Sequence, residues 1–359
     1  MQLFRLVISG DFLNERGESA YGGLPLEKLK AAPHVRWEFL THQAPVPGDA
    51  SYWQRFYSLK MKREDIAGQD GLITLRPRLD RATLTGTSLL IIGRNGAGYD
   101  TVDVAACTDN DVALFNAPLA LEHATASTAL LFLLALAKRL PQHERMTRQG
   151  RWDLQSEELG DELTGRTLGI IGLGHNGREL VRLVAPFGMR VLAYSPHADA
   201  AQARSLGVEL CGLDELLKAS YFVSIHARPS PENYHLIGQR ELSLMKPTAY
   251  IVNVARGVLI DQPALVEALQ EKRIRGAALD VFAVEPLPVD DPLIQLDNVI
   301  LTPHWSASTR DIWRATGHQM VDGLLLAARG ELPENIVNRE VLERPGFRKK
   351  LERFAENSM

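Results

Sequence analysis

The sequence predicts an α/β protein made of two doubly wound, parallel-sheet domains, one inserted into the other. Three observations carry that expectation. A chain of 359 residues has room for two domains, each with its own core. Within the first 118 residues, five short β-rich runs alternate with helical or loop stretches, and from Thr167 six further runs do the same. Such alternation builds parallel strands joined by crossover helices.

In chain order, the first series of strands is expected at 5–9, 35–40, 71–75, 89–92 and 112–115. Between the second and third lies the segment 41–62, with Pro45, Pro47 and Gly48 followed by Tyr52, Trp53, Phe56 and Tyr57. It reads as a long loop or a short helical insertion, whose aromatics either fill a local core or form a lid or dimer contact. Residues 122–140 are rich in Ala and Leu, carry Lys138 and Arg139 near their end and are followed by Pro141, the signature of a helix and its C-terminus. A helix so apolar on most faces belongs between two layers. The second series follows at 168–171, 190–194, 222–225, 249–253, 277–279 and 299–301, and a last long helix is expected over 308–329.

The charge balance narrows the partners. Forty Lys and Arg against 44 Asp and Glu give a net charge of −4, so no global positive field draws this chain to nucleic acid or anionic lipid. The most membrane-like stretch, residues 129–137, is nine apolar residues long, where a span needs about twenty. Leu6-Val7-Ile8 is too brief for a signal-peptide core. Two cysteines, Cys107 and Cys211, lack metal-site spacing and suit a reduced compartment, so a cytoplasmic protein without a metal site is expected.

Gly172-Leu173-Gly174-His175-Asn176-Gly177 directly follows an apolar strand and opens a helical run. In that setting one glycine makes the tight turn, the second lets the backbone approach a pyrophosphate, and the third lets helix and strand pack closely. The pattern therefore predicts a Rossmann-type dinucleotide domain, with these glycines, His175 and Asn176 at the cofactor, although His175 also suits a solvated loop. At the end of the next strand, 18 residues after Gly177, Ser195 stands where an acid usually holds the adenosine ribose. Ser195 removes the repulsion against a 2′-phosphate, yet Pro196 and His197 bring no Arg to grip one. NAD or NADP stays open, with NAD slightly ahead. His226, just after the strand 222–225, is counted with the cofactor-binding residues.

Three further groups follow strands: Asn253-Val254-Ala255-Arg256-Gly257, then Leu279-Asp280-Val281-Phe282 with Glu285-Pro286, then Thr302-Pro303-His304. Open α/β sheets place ligands at such carboxyl ends. An Arg can bind a carboxylate bidentately and polarise the carbonyl beside it. A His can pass the proton that complements hydride transfer, and a Glu bonded to it fixes its tautomer.

These motifs, in this order, resemble the D-isomer-specific 2-hydroxyacid dehydrogenases over nearly the whole chain. The intervals agree as well, 29 residues from Arg256 to Glu285 and 19 from Glu285 to His304. The resemblance implies that Arg256 binds substrate, Glu285 orients His304, His304 is the acid/base and Asp280 meets the nicotinamide carboxamide. It also implies that the loop Gly96-Ala97-Gly98 offers backbone amides to the substrate carboxylate and that Arg76 lies in a second such loop, where glycines leave room for an anion. Asn335-Ile336-Val337-Asn338 is similar to the segment that returns the chain to the first domain. The implied architecture is a flavodoxin-like substrate domain of 1–118 and 316–359, with a nicotinamide dinucleotide domain of 119–315 inserted, in a homodimer.

The implied reaction is hydride transfer between NAD(P)H and a 2-keto acid or D-2-hydroxy acid. Two rivals share the fold: dinucleotide-sensing corepressors of the C-terminal binding protein type, and a phosphite-type dehydrogenase. A formate dehydrogenase is disfavoured, because that branch pairs its His with Gln where Glu285 stands here. Arg76 has two readings, pairing with a nearby acid such as Asp80 or binding a second anionic or polyhydroxylated end of the substrate. The sequence names neither the particular 2-hydroxy acid nor the physiological direction.

Overall fold

The computed structural model describes residues 2–358. Its two compact units are Met1–Leu121 with Ser308–Met359, and Glu122–Ala307.

In the first unit, β1 (Phe4–Ile8), β2 (Val35–Phe39), β3 (Gly71–Thr74), β4 (Ile91–Arg94) and β5 (Ala113–Asn116) form one parallel sheet in the order β2-β1-β3-β4-β5. This is the flavodoxin-like order, which reverses between β1 and β3. The alternation of a strand decides which face each residue serves. Leu6 and Ile8 join a cluster with Phe115, Leu324 and Phe347, while Val7 joins Leu72, Ile92 and Leu114 on the opposite side. Burial on both faces explains the apolar runs of the inner strands, while the edge strand β2, Val-Arg-Trp-Glu-Phe, keeps Arg36 and Glu38 exposed. The returning chain is tied to the β5 edge by Asn338, whose side chain accepts from Leu114 N and donates to Val112 O, both at 2.9 Å.

In the second unit, β6 (Thr167–Ile171), β7 (Arg190–Tyr194), β8 (Val208–Leu210), β9 (Phe222–Ile225), β10 (Tyr250–Asn253), β11 (Gly276–Leu279) and β12 (Val299–Leu301) run parallel in the order β12-β11-β10-β9-β6-β7-β8. That is the Rossmann order extended by a strand, and it reverses between β6 and β9. The helix Glu122–Ala137 packs on the helix His175–Val184 and on β10 and β11, so a run without a polar face is accommodated between layers.

The elements differ from the sequence expectation in three places, and the aromatic segment takes the helical one of its two readings. The second sheet has seven strands among the described residues, not six; β8 is a three-residue edge strand, Val-Glu-Leu, with too little apolar pattern to announce itself. The long helix ends at Ala137, Arg139 adopts a left-handed φ of 50°, and a second helix, Leu140–Arg148, starts there. Pro141 thus opens that helix instead of closing the previous one, as its fixed φ and missing N–H allow. The final helix is Arg310–Ala327, begun by Thr309, whose hydroxyl caps Ile312 N. The aromatic segment is a short helix, Ala50–Arg55, and a 3-10 turn, Phe56–Ser58.

Candidate functional site

The glycine turn leaves β6 and enters the helix His175–Val184. Gly172 has φ 96°, and a Cβ there would lie 2.5 Å from Ala227 N, so only glycine lets β6 pass the chain leaving β9. Around Gly174 there is no heavy atom within 4 Å of an added Cβ, and no side chain caps the helix. The open backbone face and the uncapped N–H groups at the positive end of the helix fit the pyrophosphate of a dinucleotide. His175 is exposed and begins the helix; Asn176 follows in its first turn. Ser195 is half-buried just beyond β7, and its carbonyl accepts from Ala198 N at 3.0 Å.

His226 stands just beyond β9, across the point where strand order reverses. Its Nε2 is 2.9 Å from Ser224 Oγ, and Nδ1 is buried without a partner among the described residues. Burial holds the imidazole neutral, bringing its pKa down to about 4. A neutral ring with one open nitrogen beside the glycine turn suits a contact to an uncharged part of the cofactor.

Arg256, Asp280, Glu285 and His304 come from the ends of β10, β11 and β12 and the loops after them. Asn253, buried at the end of β10, shapes the first loop: its Oδ1 accepts from Ala255 N at 3.0 Å and its Nδ2 donates to Arg256 O at 2.9 Å. Gly257 then passes so close to the next loop that a Cβ would sit 1.9 Å from Phe282 C. These contacts fix where Arg256 leaves the backbone. Its Nη1 donates to Ala255 O at 2.7 Å.

Glu285 links two loops. Its Oε1 accepts from Phe282 N at 3.1 Å, and its Oε2 lies 2.8 Å from His304 Nδ1. A carboxylate only accepts, so the Nδ1 proton belongs to the histidine. The His304 side chain is one-third exposed against half that for Glu285, which leaves the ring accessible and its orienting acid sheltered.

Asp280 holds the backbone around His304. One carboxylate oxygen accepts from Thr302 Oγ1 at 2.6 Å and Trp305 N at 2.7 Å, and the other from Ser306 N at 2.9 Å. His304 N donates to Asp280 O at 2.8 Å, while His304 itself takes a left-handed φ of 51°. A non-glycine residue persists there only when its surroundings over-determine it. Four hydrogen bonds to one fully buried acid supply that constraint, and Thr128 Oγ1 adds a fifth to the same loop by donating to Ser306 O at 2.9 Å. The sequence reading gave Asp280 a cofactor contact alone, quoted Asn253 and Thr302 within motifs without a role, and passed over Thr128. Only the Asp and Asn immediately after strands offered a signal.

In the first unit, Gly96 has φ 138°, and the carbonyls of Gly96 and Ala97 are taken by Ala117 N at 3.0 Å and Asn116 Nδ2 at 2.6 Å. With the carbonyls held back, the turn of Gly96, Ala97 and Gly98 can present amides. Arg76 follows β3, and its guanidinium does not reach toward Asp80, which caps Thr83 N instead. The guanidinium lies 4.1 Å over the Phe56 ring and 4.9 Å over Tyr57, and Nη1 donates to Tyr21 Oη at 3.4 Å. Arg76 N donates to Asp11 Oδ2 at 2.9 Å.

A family model described as "D-isomer specific 2-hydroxyacid dehydrogenase, NAD binding domain" matches residues 130–306. A protein named glyoxylate reductase from Thermococcus litoralis is 35% identical over 324 residues, covering 85% of this chain and 97% of that protein. A protein named D-3-phosphoglycerate dehydrogenase from Methanocaldococcus jannaschii is 44% identical over 251 residues, 70% of this chain. That match takes in 48% of the dehydrogenase, so this chain spans about half the length of such relatives. Among solved structures, a glyoxylate reductase from Paecilomyes thermophila superimposes with a TM-score of 0.77 at 27% identity, over 95% of this chain and all of that one.

Proposed function

Since this chain belongs to the D-isomer-specific 2-hydroxyacid dehydrogenases, we propose that it interconverts a 2-keto acid and a D-2-hydroxy acid with NAD or NADP. The observation that carries the reading is the His304–Glu285 pair, held at 2.8 Å between the loop after β12 and the Asp280-bearing loop after β11, against which the Arg256 loop packs through Gly257. Arg256 binds the substrate and draws electron density from its carbonyl, so that negative charge growing on that oxygen meets a fixed cation. His304 delivers a proton from Nε2 to the same oxygen during reduction and takes it back in oxidation. Glu285 keeps the opposite nitrogen protonated and the ring aimed. Asp280 fixes the loop on which His304 stands, beyond any contact with the carboxamide. The turn Gly96–Gly98 offers its amides to the substrate carboxylate.

The bound nicotinamide supplies the hydride. Gly172, Gly174 and Gly177 would hold its pyrophosphate, with His175, Asn176, Ser195 and His226 around the dinucleotide. Ser195 tolerates either cofactor, since it neither repels a 2′-phosphate nor offers a carboxylate to the ribose.

The chain is assigned to a homodimer in a reducing, cytoplasmic setting. Support comes from exposed Leu131, Leu140, Trp152 and Leu159 within one stretch of the second unit, and from two free cysteines. Oxidation of NADH and of NADPH, followed with glyoxylate, hydroxypyruvate, pyruvate and larger 2-keto acids, tests the reaction. Turnover on at least one is expected, and silence with both cofactors across the panel would end the proposal.

A further inference from the structure

A cavity of about 350 Å³ in the first unit has no part in the roles above; it is lined by Asp11, Asn14, Arg16, Tyr21, Trp53 and Phe56, among others. Asp11 lies just beyond β1, and Arg76, behind the cavity wall, just beyond β3. Those neighbouring strands are where the order of the sheet reverses, the place where open parallel sheets admit ligands.

The walls are aromatic and stiff. Of the lining rings Phe56 is buried and Trp53 half-exposed; the Trp53 ring meets Phe56 edge-on at 5.0 Å and is backed by buried Tyr52, which it meets edge-on at 5.2 Å. Opposite, Tyr21 is held flat by stacking on Trp313 at 3.8 Å and 9°. Arg76 lies over the rings of Phe56 and Tyr57 and donates to Tyr21 Oη, so it ties the two aromatic sides together.

The polar floor is Asp11, 1% exposed, whose carboxylate accepts from Ser9 Oγ at 2.6 Å and Arg76 N at 2.9 Å. Burial raises its pKa against the pull of those two partners. The charged side chains on the lining are Asp11 and Glu15 against Arg16. Arg76 adds a positive charge beside Tyr21, but the group on the floor is a carboxylate, which accepts and so favours a donor over a distal carboxylate or phosphate. Tyr21 Oη, on the lining, accepts from Arg76 Nη1 at 3.4 Å, which leaves its own proton for an occupant. An occupant that donates to a carboxylate and also accepts from a phenol is a hydroxyl group.

We infer that this cavity takes the tail of a 2-keto acid ending in a hydroxylated aromatic ring, with the ring against Trp53 and Phe56 and its hydroxyl donating to Asp11. The inference rests on the proposed reduction of a 2-keto acid and names its substrate class. Along the sheet, the Gly96–Gly98 turn follows β4, next to β3 and then β1. Two strand spacings, about 10 Å, separate a carboxylate held at that turn from the cavity floor. Glyoxylate cannot bridge that span, whereas a ring-bearing chain can.

The test compares kcat/KM for 4-hydroxyphenylpyruvate, phenylpyruvate, 2-oxoglutarate and glyoxylate, with calorimetric binding of 4-hydroxyphenyllactate as a readout that needs no turnover. The hydroxylated ring should lead and 2-oxoglutarate should trail. Trp53→Ala should cut the ratio of 4-hydroxyphenylpyruvate to glyoxylate by about tenfold and weaken 4-hydroxyphenyllactate to match. Asp11→Asn should erase the advantage of the hydroxylated ring over the plain one, and exposed Trp53 serves alone if that buried variant does not fold. A preference for 2-oxoglutarate, an equal effect of Trp53→Ala on all substrates, or no binding of 4-hydroxyphenyllactate would overturn the assignment. Ring-dependent binding without turnover of any 2-keto acid would instead sink the functional reading and leave the pocket standing.

Discussion

The carboxyl edges of the two sheets are built from different materials. In the second unit the edge carries Arg256, Asp280, Glu285 and His304, each one to six residues past a strand end and held by hydrogen bonds to neighbouring backbone. In the first unit the edge is walled by Tyr52, Trp53 and Phe56, which arrive on a helical insertion between β2 and β3 and are placed by ring packing. Hydrogen bonds fix angles and distances, which proton transfer demands. Ring packing fixes shape, which selects a substrate. The difference assigns chemistry to the second unit and choice of substrate to the first, and each variant below breaks or sharpens that division.

The largest effect is expected from His304→Gln, with kcat lowered about 10²–10⁴-fold because proton transfer is lost. Dinucleotide affinity, measured by titration, should be unchanged, since the glycine turn is untouched; a large loss of affinity would place His304 in cofactor binding instead. Next comes Arg256→Lys, expected to cost about 10²-fold in kcat/KM, because Lys keeps the charge but not the two parallel donors. Kinetics like the parent's would remove Arg256 from the site.

His226 gives a stability prediction with a defined pH window. The folded protein keeps the ring neutral down to about pH 4, while the unfolded chain takes up a proton below about 6.5. Stability therefore falls as pH drops from 6.5 to 4, by up to about 3 kcal/mol, and this contribution is gone below 4. Denaturant unfolding of the ligand-free His226→Gln variant should show a flatter profile across that window. A slope identical to the parent's would mean the ring is solvated.

Two glycines separate folding from binding by smaller amounts. Gly172→Ala forces a Cβ into the Ala227 backbone at positive φ and should cost about 1–3 kcal/mol of stability. Gly174→Ala meets nothing in the protein and should leave the melting temperature alone while weakening dinucleotide binding. Equal melting temperatures for both variants would contradict the reading of Gly172, and unaltered affinity in Gly174→Ala that of Gly174.

The same contrast explains what was legible in the sequence. Buried parallel strands are continuous apolar runs, so eleven of the twelve stood out, and only β8, short and exposed at the edge, did not. Arg256, Glu285 and His304 were legible because they follow such strands at fixed intervals. The network around Asp280 was hidden, because its partners are mainly backbone N–H groups and a threonine, residues with no pattern of their own. The aromatic segment was visible in composition but not in purpose. Its contact with Arg76, and the Tyr21–Trp313 stack that Arg76 reaches in turn, join positions far apart in the chain, which periodicity does not register.

The most direct test of the division is the pattern of kcat/KM across glyoxylate, hydroxypyruvate and 4-hydroxyphenylpyruvate in the parent, His304→Gln and Trp53→Ala. His304→Gln should lower all three by one common factor, leaving selectivity intact, whereas Trp53→Ala should change their ratios far more than it lowers the set. A His304→Gln variant with altered selectivity, or a Trp53→Ala variant that scales all three alike, would contradict it.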